Sequence, residues 1–196
     1  MPYNETKPDA LEMSVDSRIF AAVRHAQSKE TTRHYLNGVF VTPMDSGGVL
    51  MVATNGHIML KARDKDGFAN RSAILTTAWT AVQLRKKGSL FAADCSEIDA
   101  TFPDHVRVMP KIPDGDWRSE NPPVQSGAKW NMSYLDLFRK AAKCVNSGAD
   151  GMQIHQMVTD DPAIVTFEGC PDMFGILMPM RGATRTATAL PDWARS

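Results

Sequence analysis

Apolar positions along the chain change twice from a helical to an extended spacing. Around residues 16–27, Val15, Ile19, Ala22, Val23 and Ala26 recur at three- and four-residue steps, which places them on one face of a helix. Asp16, or Ser14 before it, suits the cap of the first turn. Arg18, Arg24 and His25 fall off this stripe. Residues 33–41, 49–54 and 57–62 are rich in β-branched, aromatic and other apolar residues and predict three strands. A polar turn at Asp45-Ser46-Gly47-Gly48 separates the first two, and Asn55-Gly56, a strong hairpin signal, the last two.

The same order returns later in the chain. Ser133 is predicted to open a helix, with Asp136 three residues on as a weak capping box. Leu135, Phe138, Ala141, Ala142 and Val145 make its apolar stripe, Arg139, Lys140 and Lys143 sit on the other side, and Asn146-Ser147-Gly148 ends it. Residues 151–158, 163–167 and 174–180 read as three further strands. Between the two units the pattern is less regular. It predicts a strand at 73–76, a short helix at 78–87 closed by Gly88, and strands at 90–93 and 98–102. Four prolines and two glycines in 109–127 mark a linker or extended loop. A helix with three meander strands, occurring twice, predicts an α+β fold of pseudo-two-fold symmetry with two helices on one sheet layer. The residues of the two units do not match, so the repeat is one of pattern only.

Composition narrows the function classes. With 43% apolar and 22% charged residues over 196, the chain is of ordinary globular composition. Lys+Arg and Asp+Glu are equal at 22 each, so any nucleic-acid contact must come from a local patch. No apolar run approaches a membrane span, and the polar first ten residues lack the apolar core of a signal peptide. Cys95, Cys144 and Cys170, an odd set without C-x-x-C spacing, favour reduced thiols in a cytoplasmic protein. No phosphate-cradling glycine loop and no G-x-S-x-G elbow is present, and the five histidines are scattered. A Cys–His nucleophile pair leaves no linear signature, because such partners meet only in space. Nothing in the sequence argues for an enzyme, a metal or a cofactor.

Four segments do carry a resemblance. Arg33-His34-Tyr35-Leu36-Asn37-Gly38-Val39 resembles the Arg-Tyr-Tyr-Leu-Asn-Gly strand in the middle domain of the bacterial DNA polymerase III beta subunit, the sliding clamp. The segment from Val52 through Ala53, Thr54, Asn55, Gly56, His57 and Ile58 to Met59 resembles the clamp's Val-Ala-Thr-Asp-Gly-His-Arg-Leu hairpin. Phe102-Pro103-Asp104-His105-Val106-Arg107-Val108-Met109-Pro110-Lys111 resembles the Phe-Pro-Asp-Tyr-x-Arg-Val-Leu-Pro-Lys junction that leads out of that domain, and Met178-Pro179-Met180-Arg181 the Met-Pro-Met-Arg that nearly ends the clamp. All four occur in the family's order. The sequence departs from the family at Asn55 for Asp, Ile58 for Arg and Met59 for Leu, and it runs on past Arg181 to Ser196.

The resemblance implies a DNA-clamp-like fold, roughly one clamp domain. Its organisation would be an N-terminal arm at 1–11, a middle-domain-like segment at 12–108, a linker at 109–127, half of a last domain at 128–181 and a tail at 182–196. Two arrangements stay open. Units 12–64 and 128–181 pair into one clamp-type domain with 66–125 as an altered insertion, or a truncated middle domain is followed by half a domain. By position, the family's peptide pocket would take Leu36, Thr54, Met59, Pro103, Val108, Ile176 and Met178 as apolar walls. Arg33, Gly56, His57, Arg107, Pro179, Met180 and Arg181 would frame it. Arg18, Arg24, His25 and Lys29 on one helix, and Arg139, Lys140 and Lys143 on the other, would be contacts to the backbone of duplex DNA. The expected partners are double-stranded DNA, bound without sequence preference, the clamp-binding peptides of DNA polymerases or other replication proteins, and further copies of the chain in a homo-oligomer. Membranes are not expected. The alternative is a decoy or adaptor that keeps the pocket without encircling DNA, and an unrelated enzyme on the same fold is a third reading. Leu190 and Trp193, the large apolar residues after Arg181, are expected to bring the tail near the pocket.

Overall fold

Asp16 turns the chain from strand to helix. In the computed structural model, which describes residues 10–110, 128–156 and 161–180, strand β1 (Met13–Asp16) runs directly into helix α1 (Ser17–Val23). The Asp16 carboxylate caps it by accepting from the Arg18 backbone N–H at 2.7 Å. The helix is shorter than its apolar spacing predicts: Val15 lies in β1, and the last turn, Arg24–Ala26, is a 3-10 turn. Gln27 is extended, so Lys29 stands beyond the helix rather than on it. A second correction concerns residues 33–36. They belong to the 3-10 turn Thr31–Leu36 and not to a strand, because the Ser28 N–H donates to the Leu36 carbonyl and the Asn37 amide to that of Glu30, folding the segment back.

Strands β2 (Val39–Pro43), β3 (Val49–Thr54) and β4 (Ile58–Asp64) form an antiparallel meander. Helix α3 (Met132–Val145) leads into a second one, β9 (Met152–His155), β10 (Ala163–Phe167) and β11 (Met173–Leu177). The cap of α3 is Asn131, whose side chain accepts from the Ser133 N–H, so Ser133 is the second helical residue rather than the cap. The two meanders meet edge to edge through β4 and β11, with Leu60 opposite Gly175. The order β2-β3-β4-β11-β10-β9 therefore reads the same from either end of that junction, which is the pseudo-two-fold repeat expected from the sequence.

The region between the units extends this plan rather than standing apart. β6 (Ala73–Thr76) and the two-residue β8 (Ser96–Glu97) add to the free edge of β2. β5 (Phe68–Ala69), which the sequence pattern did not suggest, and β7 (Ser89–Phe91) flank β1 in a small second sheet. Helix α2 (Ala81–Lys87) packs on α1, with a full capping box between Thr80 and Gln83. Residues 98–102, read as a strand, are irregular, and Ile98 keeps a single backbone bond to Ile74.

Burial divides the large sheet by face. One face carries Val41, Met51, Leu60 and Leu177 against Phe20 and Val23 of α1 and Phe138 of α3, all buried. Strand side chains alternate, so the opposite face carries Val52, Met59, Ile74, Ile164 and Ile176, and these join Leu36 and Phe102 in a second buried cluster. Phe102 stacks on Phe40 at 4.9 Å with the rings 7° apart, which pins the 98–110 segment across the outer face. That lid of irregular chain over a flat apolar face creates the candidate site.

Candidate functional site

Four segments far apart in sequence converge on the outer face and leave an open cavity of about 180 Å³ between them. Its floor is the apolar face of the sheet, Met59 of β4 and Ile176 of β11, with Leu36 from the 3-10 turn. Phe102, Pro103 and Val108 of the crossing segment make one wall, and Met178, just beyond β11, another.

The rim is a side-chain-locked hairpin. Between β3 and β4, the Thr54 hydroxyl donates to the Ile58 carbonyl at 2.7 Å and accepts from the Gly56 N–H, while the Asn55 side chain accepts from the N–H groups of His57 and Ile58. Asn55 thus serves as an Asx-turn acceptor in the place where the clamp motif has Asp. Gly56 has φ +88°, a left-handed conformation that favours glycine, and an added Cβ would stand 2.9 Å from the Arg33 guanidinium. The hairpin is tied to the second unit at two points. The His57 carbonyl accepts from the Met178 N–H at 2.9 Å, and the His57 ring stacks on Tyr134 of α3.

The structure therefore brings Leu36, Thr54, Gly56, His57, Met59, Pro103, Val108, Ile176 and Met178 around one cavity. Arg107 is exposed on the turn after Asp104 and lies outside the lining, as do half-buried Pro179 and exposed Met180, whose N–H donates to the Lys129 carbonyl. Arg33 stands behind Gly56 and pairs with Glu30 at 2.7 Å. Arg181, the tail with Leu190 and Trp193, the arm before Ala10 and the linker from Lys111 to 127 lie outside the described residues. Sequence reasoning missed Tyr35, Ile58, Phe102, Asp104 and His105 as lining residues. Four of them adjoin residues it named and His105 lies two residues from Pro103 and Arg107, which was the available signal.

The basic residues expected to face DNA are largely neutralised. Arg18 pairs with Asp16 at 2.7 Å, Arg139 and Lys140 share Asp136 at 2.7 and 2.6 Å, and Lys143 pairs with Asp150. Arg24 donates to the Trp79 carbonyl, and its burial lowers its pKa. His25 lies beneath this layer. Burial, followed by the charges of Lys140, Arg24 and Arg85, pushes its pKa below the ordinary 6.5. Its Nε2 is 3.7 Å from the Cys144 sulfur. Burial raises the Cys144 thiol and lowers the imidazole, shifts opposite in sense to those that favour a thiolate–imidazolium pair. Burial also pushes the Cys95 thiol up, to about 11. Among the described residues no cluster of His, Cys, Asp or Glu is placed to hold a metal ion, and no helix is long and apolar enough to cross a membrane.

No family model and no curated protein matches the sequence. Solved structures do match. The DNA polymerase sliding clamp of Pseudomonas aeruginosa, crystallised with a ligand, aligns over 92% of this chain and 69% of its own length, with 18% identity and a TM-score of 0.60. The sliding clamp (DNA polymerase III subunit beta) of Bartonella birtlesii bound to griselimycin gives the same coverage at 16% identity and TM-score 0.61. The beta subunit of Borrelia burgdorferi, in complex with a natural product, covers 91% of this chain and 65% of its own, at 14% identity and TM-score 0.60. The chain has the fold of the bacterial sliding clamps.

Proposed function

We propose that the chain is a non-enzymatic, sliding-clamp-like accessory protein of DNA replication that captures short clamp-binding peptides in the cavity between the 54–59 hairpin, the 102–108 segment and Met178. One observation carries this reading: Leu36, Met59, Val108, Ile176 and Met178, from four separate stretches of chain, wall a single cavity of about 180 Å³ that is apolar at its floor and polar at its rim. Such a site suits a peptide with a polar residue followed by apolar anchors.

Two buried anchors contribute about 1.5–3 kcal/mol each, and peptide ordering offsets part of that, so an affinity of tens of micromolar at best, about −6 kcal/mol, is expected from them. Titration with a Gln-Leu-x-Leu-Phe peptide tests it. Met178→Ala removes a wall and weakens binding by about 1–2 kcal/mol, and its half-buried position leaves the melting temperature nearly unchanged. Absence of binding by wild-type protein at hundreds of micromolar sinks the reading, as does unfolding of the Met178→Ala variant.

The neutralised helix layer favours a second reading, an adaptor or decoy that uses the cavity without encircling DNA. Molar mass in solution, with and without circular duplex DNA, separates the two. A ring needs several copies and gains mass on DNA, whereas an adaptor remains a monomer or dimer.

A further inference from the structure

Beside the candidate cavity stands a lysine that pairs with no carboxylate among the described residues. Lys61, on the outer face of β4 two residues beyond Met59, places its ammonium 3.3 Å from Nδ1 of His105 and 5.8 Å from the centre of the Phe174 ring. Among the described residues it makes no ion pair, and burial lowers its pKa. His105 lines the first cavity, and Phe174 lines a second one of about 540 Å³ on the same face of the sheet. The ammonium thus lies between His105 of the first opening and Phe174 of the second.

The chemistry of the pair is one-sided. An ammonium only donates, so Nδ1 of His105 accepts and the neutral ring carries its proton on Nε2. Burial, then the Lys61 charge, lowers the His105 pKa, against smaller opposing pulls from Asp104 and a backbone hydrogen bond. The two side chains therefore offer the remaining ammonium hydrogens and one N–H, with no acceptor between them. We propose that Lys61 and His105 form an anion-accepting subsite that selects, among peptides held in the first cavity, those with an acidic side chain beyond their apolar anchors. This rests on the peptide-capture reading and adds a specificity determinant to it. A charge-assisted bond to a half-buried ammonium discriminates carboxylate from amide because the amide leaves the charge unmatched.

The test uses the full chain and peptides blocked at both ends, so that the only added carboxylate is the side chain. A Gln-Leu-x-Leu-Phe core is extended to carry Glu one, two or three residues after Phe, each beside its Gln counterpart. On wild-type protein at least one Glu peptide is expected to bind about tenfold more tightly than its Gln partner, and the preference should weaken at high salt. In Lys61→Met the preference should vanish while the Gln peptides keep their affinity. His105→Phe, which keeps the ring on Phe40 and Phe102 but loses the N–H, should reduce it in part. If every Glu/Gln pair binds wild-type protein equally, or the preference survives in Lys61→Met, the subsite is overturned while peptide capture stands. If no peptide of either kind binds, both proposals fail together.

Discussion

Two histidines on opposite faces of the sheet share one physical condition. His25 beneath the helix layer and His105 beside the cavity are each partly buried, and each faces cations: Lys140, Arg24 and Arg85 around His25, and Lys61 against His105. Burial is the larger cause in both, and both pKa values lie below the ordinary 6.5. Between that value and the depressed one, the unfolded chain binds more protons than the folded one, so stability rises with pH through this window and is lost on acidification below about 6.5. The urea midpoint is therefore expected to fall between pH 7.5 and 5.5, and by less in His25→Gln, which cannot take up the proton. Equal pH dependence of wild-type protein and His25→Gln would show that the imidazole is not the responsible group. The same two residues show how little of the side-chain chemistry was legible in the chain. His105 meets Lys61 across 44 residues and His25 meets Cys144 across 119, and neither pairing leaves a local pattern.

At the scale of elements, α3 and β11 leave no spare room where they meet at Gly175. A Cβ at Gly175 would stand 2.6 Å from the Phe138 ring, a fully buried side chain at the centre of the helix-facing core. Gly175→Ala is expected to cost about 1–3 kcal/mol through overpacking, read as a lower denaturation midpoint. Combining it with Phe138→Leu should cost less than the sum of the two single changes, because the smaller side chain makes room for the methyl. Strict additivity would place the strain elsewhere. Elements with all their constraints in the local sequence were the legible ones: β3 and β10 match their predicted spans residue for residue. Two segments misread as strand lie at 33–36 and 98–102, where aliphatic and aromatic residues serve the second apolar layer, and the last strand stops at Leu177 rather than running to 180. Ile98, Phe102, Tyr35 and Leu36 pack onto the outer face of a sheet formed by other segments, and spacing alone does not distinguish that from a strand. The cavity came into view only because four short segments resemble a known pocket. Its neighbours Tyr35, Phe102 and His105 were passed over since the resemblance supplied no role for them.

On the scale of the whole molecule, equal numbers of acidic and basic residues leave DNA association to local geometry. The pseudo-two-fold arrangement sets α1 and α3 side by side on one face of the sheet, with α2 against α1. Their cations meet there: Arg24, Arg85 and Lys140 all act on His25 from different elements. Asp136 opposes them. It holds Arg139 and Lys140 at 2.7 and 2.6 Å, and their hydrogen bonds keep its own pKa below the ordinary 3.8, so it stays ionised across the working range of pH. If this face meets the phosphate backbone, Asp136→Asn releases two cations and strengthens binding to duplex DNA of any sequence. Paired replacement of Arg85 and Lys140 by Ala should then flatten the plot of log affinity against log salt by about two, close to one unit for each lost phosphate contact. Retention of the protein on closed circular duplex DNA across a salt series measures both. Should wild-type protein show no retention at low salt and Asp136→Asn gain none, the helix layer is a solvated surface held by its own ion pairs, and the fold has been kept for its cavity alone.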